Sequence, residues 1–283
     1  QDEIKLLRNL QALIGVRYIY HENFKNHATP NVALMYKPGK FNFRASYAAG
    51  FRTPTLSELY ATDIAKKNDR LTIGNLDLKP EKNNYFSLSA EYVHERFSVS
   101  VNAFYNNIRD MIDYNTIATG DKAMEQYGHK EVRQRDNIAE AKVHGINVSA
   151  NAYLGAGFNL SGGYTHLNTQ DVELEQPIDK SIKNAYNINA QWAHSWKIYR
   201  LNINLNGRIN SKRFSKSYGY APEYQLWDLN TRHSFNLKSV SIEPGFGMEN
   251  LFDYMDDRPY NSNYATLTPG RSFYISLSLK FKS

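Results

Sequence analysis

The chain has no cysteine among its 283 residues, which excludes a disulfide framework and thiolate metal sites. It also lacks any apolar run approaching the roughly 18 residues that a membrane-crossing helix needs. A mean hydropathy of -0.61 does not extend that exclusion to a membrane barrel, whose strands are apolar only at alternate positions. The opening QDEIKLLRNL has neither a basic n-region nor an apolar h-region, so it reads as a processed or internal start and not as a secretory signal. Charge of one sign is not concentrated anywhere: 34 Lys and Arg are interspersed with 28 Asp and Glu, and the net +6 forms no basic patch or arm. Nucleic acid is therefore not an expected partner. No repeat, low-complexity tract or linker interrupts the sequence, and residues 1–283 read as one domain.

What is abundant is tyrosine, with 21 residues against 3 Trp in a chain that is 13% aromatic. An apolar ring with a polar tip suits positions that are dry at one end and wet at the other, such as a lipid–water boundary or a ligand-binding surface. The second abundant signal is strict alternation, the strand period. In RSFYISLSLKFKS, Phe273, Ile275, Leu277, Leu279 and Phe281 share one face, while Tyr274, Ser276, Ser278 and Lys280 share the other. In LNINLNGRIN, Leu201, Ile203, Leu205 and Ile209 oppose Asn202, Asn204, Asn206, Arg208 and Asn210.

Extended along the chain, this pattern predicts about twelve strands. They fall at 9–20, 30–37, 41–51, 84–94, 97–113, 138–154, 157–168, 184–194, 197–211, 223–236, 239–252 and 271–282. Short turns at Pro38-Gly39-Lys40, His94-Glu95-Arg96, Gly155-Ala156-Gly157 and Ser195-Trp196 alternate with longer segments at 21–29, 52–83, 114–137, 169–183, 212–222 and 253–270. Short turns on one side and long loops on the other are the arrangement of an outer-membrane barrel. A soluble β-sandwich also alternates, but its strands average about six residues, whereas several here reach the ten or so that cross a bilayer at a tilt.

The stretch FNFRASYAAGFRTPTLSELY, with its element Phe51-Arg52-Thr53-Pro54, resembles the strand end and loop start of TonB-dependent receptors. GNLDLKPE, residues 74–81 with Asn75, Leu76 and Leu78, is similar to the box that follows in the haem, cobalamin and catechol-siderophore receptors. NNYFSLSAEYVHERFSVSVNAFYNNIRDMID resembles their next hairpin, and MENLFDYMDDRPY with PGRSFYISLSLKF resembles their last one. The family usually ends on an aromatic residue; here Lys282 and Ser283 follow Phe281. The resemblance implies an all-β transmembrane antiparallel barrel in the bacterial outer membrane, of which this chain supplies about the last 12 of some 22 strands, without the plug domain. It further implies a non-enzymatic receptor that binds and imports a scarce chelate carrying iron or cobalt, or haem, with no intrinsic cofactor. The implied partners are an N-terminal half bearing the plug, TonB acting through that plug, the lipid bilayer and, in some members, a surface lipoprotein. A passive porin-like channel and an outer-membrane barrel hydrolase are the alternatives from other classes.

Catalytic patterns are weak. The eight His residues show no metal-ligand spacing, and no Gly-x-Ser-x-Gly occurs. His144 and Ser149 fall on opposite faces of one strand, so they do not form a catalytic pair. Haem receptors of the family carry a His between the two boxes as an axial ligand; residues 55–73 contain none, which counts against haem, although Tyr60 could ligate iron instead and His129 sits in another outer loop. Candidate ligand contacts are Arg52, Tyr60, Tyr114, Tyr127, His129, Tyr218, Tyr220, Tyr260 and Tyr264, because a loop Tyr offers a rigid apolar face and one hydrogen-bonding tip. The plainer reading of the same tyrosines is an aromatic girdle at the headgroups. That of Phe51-Arg52-Thr53-Pro54 is a strand end, with Phe at the interface, Arg in the lumen and Pro stopping the ladder.

Overall fold

The computed structural model describes residues 2–138, 140–215, 219–256 and 268–281. The chain starts as β1 (Asp2–Leu7), β2 (Leu10–His21), β3 (Lys25–Tyr36) and β4 (Phe41–Arg52). It then leaves the sheet for α1 (Leu56–Tyr60), β5 (Thr62–Ala65) and β6 (Arg70–Ile73), and returns as β7 (Glu81–Val93) and β8 (Phe97–Arg109). A second excursion holds β9 (Met111–Thr119), α2 (Gly120–Tyr127) and β10 (Glu131–Ile138). It leads back to β11 (Ala141–Gly155), β12 (Phe158–Asp171), β13 (Asn184–Trp196) and β14 (Tyr199–Asn210). The ribbon β15 (Arg213–Ser215) and β16 (Gly219–Ala221) precedes β17 (Tyr224–Asn236), β18 (Val240–Glu249) and β19 (Ser272–Phe281). Thirteen of these strands form one antiparallel sheet in chain order, β1-β2-β3-β4-β7-β8-β11-β12-β13-β14-β17-β18-β19.

The alternation predicted the sheet with some errors of extent. β1 is a strand the pattern missed, because Asp2, Glu3 and Lys5 break its apolar series. The segment 21–29 is not a long loop; only residues 22–24 turn between β2 and β3. The predicted strand 97–113 is two strands, divided at Asp110, whose φ of 56° turns β9 out of the sheet. The loops at 53–80 and 110–140 carry helices and strands that side-chain periodicity did not reveal.

Burial is inverted relative to a water-soluble sheet. Ile275 is 83% exposed and Leu277 66%, and Leu88, Val101 and Leu160 are exposed as well. Register places these side chains on one continuous face, row by row: Leu34, Ala45, Leu88, Ala103 and Ile146 are successive partners. In water such a face would be a large unstable patch; against acyl chains it is the required surface. The opposite face is polar. There Asn189 donates to Asn204 at 3.2 Å and to Asn206 at 2.6 Å, and Tyr274 donates to Asn230 at 2.5 Å. Gly247 has no side chain because the Tyr274 ring covers it: a Cβ would lie 2.1 Å from that ring.

At the short-turn end the outward face carries an aromatic belt. Phe41 meets Tyr92 at 4.9 Å and Tyr92 meets Phe97 at 5.6 Å. Further round, Phe158 meets Trp192 at 5.9 Å, Trp196 stacks on Tyr199 at 5.6 Å, and Tyr199 meets Phe235 at 5.0 Å. Amphipathic rings at this height anchor a barrel at the lipid–water boundary. Among the described residues β1 pairs only with β2 and β19 only with β18, so the wall has two edges that need partners within a bilayer.

The two faces make a direct prediction on adjacent residues of β8. Val101→Arg is expected to destabilise the folded protein by about 2–4 kcal/mol in lipid, and Asn102→Arg by less than about 1 kcal/mol, read from urea titration in bilayers. Equal costs for the two would contradict the facing assigned here.

Candidate functional site

The buried apolar side chains with the largest volumes sit mostly outside the membrane wall, in the first two long excursions. β5, β6, β10 and β9 form a separate four-stranded sheet in that order. Its seam is the parallel pairing of β6 with β10, Arg70 opposite Glu131 through Ile73 opposite Gln134, which fuses two loops distant in sequence. Leu59, Leu78 and Ile112 make one small core with Phe24 of the β2–β3 turn packed against it. Ala118, Ala123 and Val132 make a second, flanked by Leu71, Ile117 and Tyr127.

Arg52 fixes this platform to the wall. β4 ends there, and the guanidinium grips Glu81 of β7 with two donors, Nε to Oε2 at 2.7 Å. Nη1 also donates to Glu58 of α1 at 2.8 Å. Glu81 accepts in addition from the Ile112 N–H at 2.8 Å, so one guanidinium and two carboxylates join β4, α1, β7 and β9. A planar fork suits this paired, bidentate geometry, which Lys does not reproduce. The Arg52 side chain is 43% exposed, so water screens the ion pairs and their main effect is orientation.

The local sequence accounts for α1. Thr55 and Glu58 form a capping box: the Thr55 hydroxyl accepts from the Glu58 N–H at 3.2 Å, and the Glu58 carboxylate accepts from the Thr55 N–H at 2.8 Å. Gly74 is required where the second box crosses the helix end, since a Cβ would lie 2.5 Å from the Leu59 carbonyl oxygen. The Asn75 side chain accepts from the Asp77 N–H at 2.9 Å, and its own N–H donates to the Glu58 carbonyl at 3.0 Å. The family-motif residues thus converge. Pro54 and Leu78 are buried, Thr53 is partly buried, Phe51 stacks on His27 at 4.4 Å, and Leu76 stands out from the surface.

The sequence-predicted contact residues separate into groups. Tyr60, 64% exposed, ends α1 on the platform. Tyr114 lies on β9 with the Arg135 guanidinium 3.6 Å above its ring centroid and donating to its hydroxyl at 2.6 Å. Tyr127 packs on the second core. His129 Nδ1 lies 2.9 Å from Asp69 Oδ1, linking the two excursions. Tyr220 is on the separate β15–β16 ribbon against Phe214 at 5.3 Å. Tyr218, Tyr260 and Tyr264 lie outside the described residues.

Sequence reasoning missed Glu58, Glu81, Asp69 and Asn137. The Thr55-x-x-Glu58 spacing was the available signal for the first. Nothing local marks Asn137, which donates to the carbonyls of Lys79 at 2.9 Å and Asp110 at 2.6 Å and accepts from the Lys79 N–H at 2.7 Å.

Partial burial pushes the Glu58 carboxyl up, but hydrogen bonds from Arg52 and Thr55 outweigh it and hold it at about 2. The hydrogen bond with His129 holds Asp69 below its ordinary range. A carboxyl lowered on folding from 4.5 to about 2 contributes stability that is complete above pH 4.5 and lost as the pH falls towards 2. Spin labels at Leu76→Cys and Met124→Cys of the cysteine-free chain should give one narrow distance distribution at pH 6 that broadens between about pH 4.5 and 2. Arg52→Ala should broaden it already at pH 6; an unchanged distribution would show that the clamp does not hold the platform.

The chain is 24% identical to the hemoglobin-binding protein A of Haemophilus influenzae, over 99% of its own length and 32% of that protein. It superposes on the ferric enterobactin receptor of Pseudomonas aeruginosa in complex with enterobactin with a TM-score of 0.79 at 21% identity, covering 98% of this chain and 44% of that one. For the siderophore receptor PirA of Pseudomonas aeruginosa the TM-score is 0.72 at 18% identity, covering 99% and 47%. The chain therefore spans about a third of its curated relative and under half of these solved chains. The family model for the TonB dependent receptor-like β-barrel matches residues 1–251, and the chain belongs to that family of outer-membrane receptor barrels.

Proposed function

We propose that this chain forms the C-terminal wall and outer loops of a receptor that captures a scarce metal chelate at the cell surface and imports it by TonB-driven transport. The observation that carries this reading is the platform itself. Two outer loops are fused into one small sheet, clamped to the strand ends by Arg52, Glu58 and Glu81, above a lumen lined with amides. A passive pore has no need of a rigid, aromatic-bearing surface over its mouth; a receptor for a bulky chelate does.

In this reading residues 1–283 act as one barrel domain, completed by N-terminal strands and a plug that couples to TonB. Tyr60 and the Arg135-backed Tyr114 supply flat faces for the ligand, with Tyr127, Tyr220 and the undescribed Tyr218, Tyr260 and Tyr264 as further wall. Arg52 and His129 act indirectly, because the Arg52 guanidinium is held by Glu81 and Glu58 and His129 Nδ1 by Asp69. The relatives' names span haemoglobin and ferric siderophores. Iron is what these cargoes share, which favours an iron chelate or haem over cobalamin. The metal belongs to the cargo and not to the protein.

The test is growth and uptake in an iron-starved strain lacking the gene, complemented with the full-length protein and offered ferric catecholate, haem or cobalamin singly. One source is expected to restore growth, and deleting TonB should abolish it. Tyr60→Ala and Tyr114→Ala should each weaken binding of that source about tenfold, roughly 1.4 kcal/mol, by fluorescence titration. Uptake that persists without TonB, or enhanced leakage of small sugars, would instead identify a channel.

A further inference from the structure

Register brings together an unusual set of cations on the outward face of the wall at its long-loop end. Lys82 of β7 lies directly opposite Arg109 of β8, and both are exposed. One row towards the membrane, Asn84, Asn107 and Lys142 are successive partners on β7, β8 and β11. Among the described residues neither Lys82 nor Arg109 forms an ion pair, and Lys142 is held only loosely, with Nζ 3.8 Å from Glu140 Oε1. Like charges directly opposite on one face of an antiparallel pair repel and destabilise the sheet. Nothing in the platform or lumen makes use of this arrangement, because these side chains point the other way.

Below the cations the face turns apolar. The next row is Tyr47, Phe86, Tyr105 and His144, and the one after it Leu34, Ala45, Leu88, Ala103 and Ile146. The small Ala45 and Ala103 lie on either side of Leu88, and the surface there sinks into an open groove of about 540 Å³ bounded by Leu34, Tyr47 and Phe86. Four residues of strand, about 13 Å, separate Lys82 from the aromatic row. Cations at headgroup height, then rings, then an acyl-sized groove, follow the order of groups along an amphiphile standing in the outer leaflet.

We infer that this face binds an anionic phosphoglycolipid of the outer leaflet, its phosphate between Lys82, Arg109 and Lys142 and an acyl chain in the groove beside Ala45 and Ala103. The phosphate turns the Lys82–Arg109 repulsion into a shared attraction, and the lipid contacts the strands that hold both excursions of the platform. The inference rests on the outer-membrane reading of the barrel.

The test is native mass spectrometry of the full-length protein in detergent, titrated with lipid A, with phosphatidylethanolamine and with inorganic phosphate. Lipid A is expected to bind in preference to phosphatidylethanolamine, and millimolar inorganic phosphate should not displace it. Lys82→Gln/Arg109→Gln/Lys142→Gln should raise the lipid A dissociation constant at least tenfold; it removes repulsion, so folding is expected to survive. Ala103→Trp, which fills the groove, should weaken acylated lipid A while sparing its deacylated phosphorylated disaccharide. Lys197→Gln/Lys238→Gln, at the short turns, should bind as the parent does. Undiminished binding by the triple variant, or displacement by inorganic phosphate, overturns the site. A full-length protein that stays dispersed without detergent would instead overturn the membrane reading beneath it.

Discussion

Hydrocarbon offers no hydrogen-bond partner, so every backbone N–H and C=O that enters it must be satisfied by another strand. The rest of this structure depends on that constraint. It selects long strands joined in chain order, each but the two edge strands zipped to a neighbour on both sides, with register as the principal variable. Register then decides everything a side chain can do, because one residue of slip exchanges the lipid face for the lumen. The amides of Asn189, Asn204 and Asn206 are assets on the inner face and would be a heavy cost on the outer one.

The same constraint displaces the hydrophobic core. A wall with lipid on one side and water on the other leaves few side chains to bury inside the protein, and the apolar clusters around Leu78 and Val132 form where the chain escapes the membrane. The platform is in effect a small water-soluble fold carried on the rim. Its cores are too slight to stand alone, and the Arg52 clamp, the Asn137 clip and the β6–β10 seam supply the order that area does not.

These physical divisions also explain what the sequence disclosed. Strands facing two solvents must alternate, so LNINLNGRIN and SFYISLSLKF were legible with their faces assigned. The platform obeys no such period. β9 and β10 are irregular mixtures such as EVRQRDNI, paired through a bulge between Val132 and Arg133, and parallel contact between β6 and β10 leaves no local trace. The strand break at Asp110 was hidden because Met111 and Ile112 continue the apolar content. Arg52 was singled out through its motif, and it stands at the end of β4. Its partners Glu58 and Glu81 lie in different elements, and only folding brings them within reach.

The β6–β10 seam has a consequence for the order of folding. Its two edges are separated by β7, β8 and the whole of β9 and α2, so in an open chain their encounter would carry a large loop-closure entropy. Once β4, β7, β8 and β11 have zipped, the wall holds the bases of both excursions side by side and that entropy has already been spent. The small four-stranded sheet thus leans on the wall for its closure: the entropy of joining two segments so distant in sequence is met by the strands beneath them.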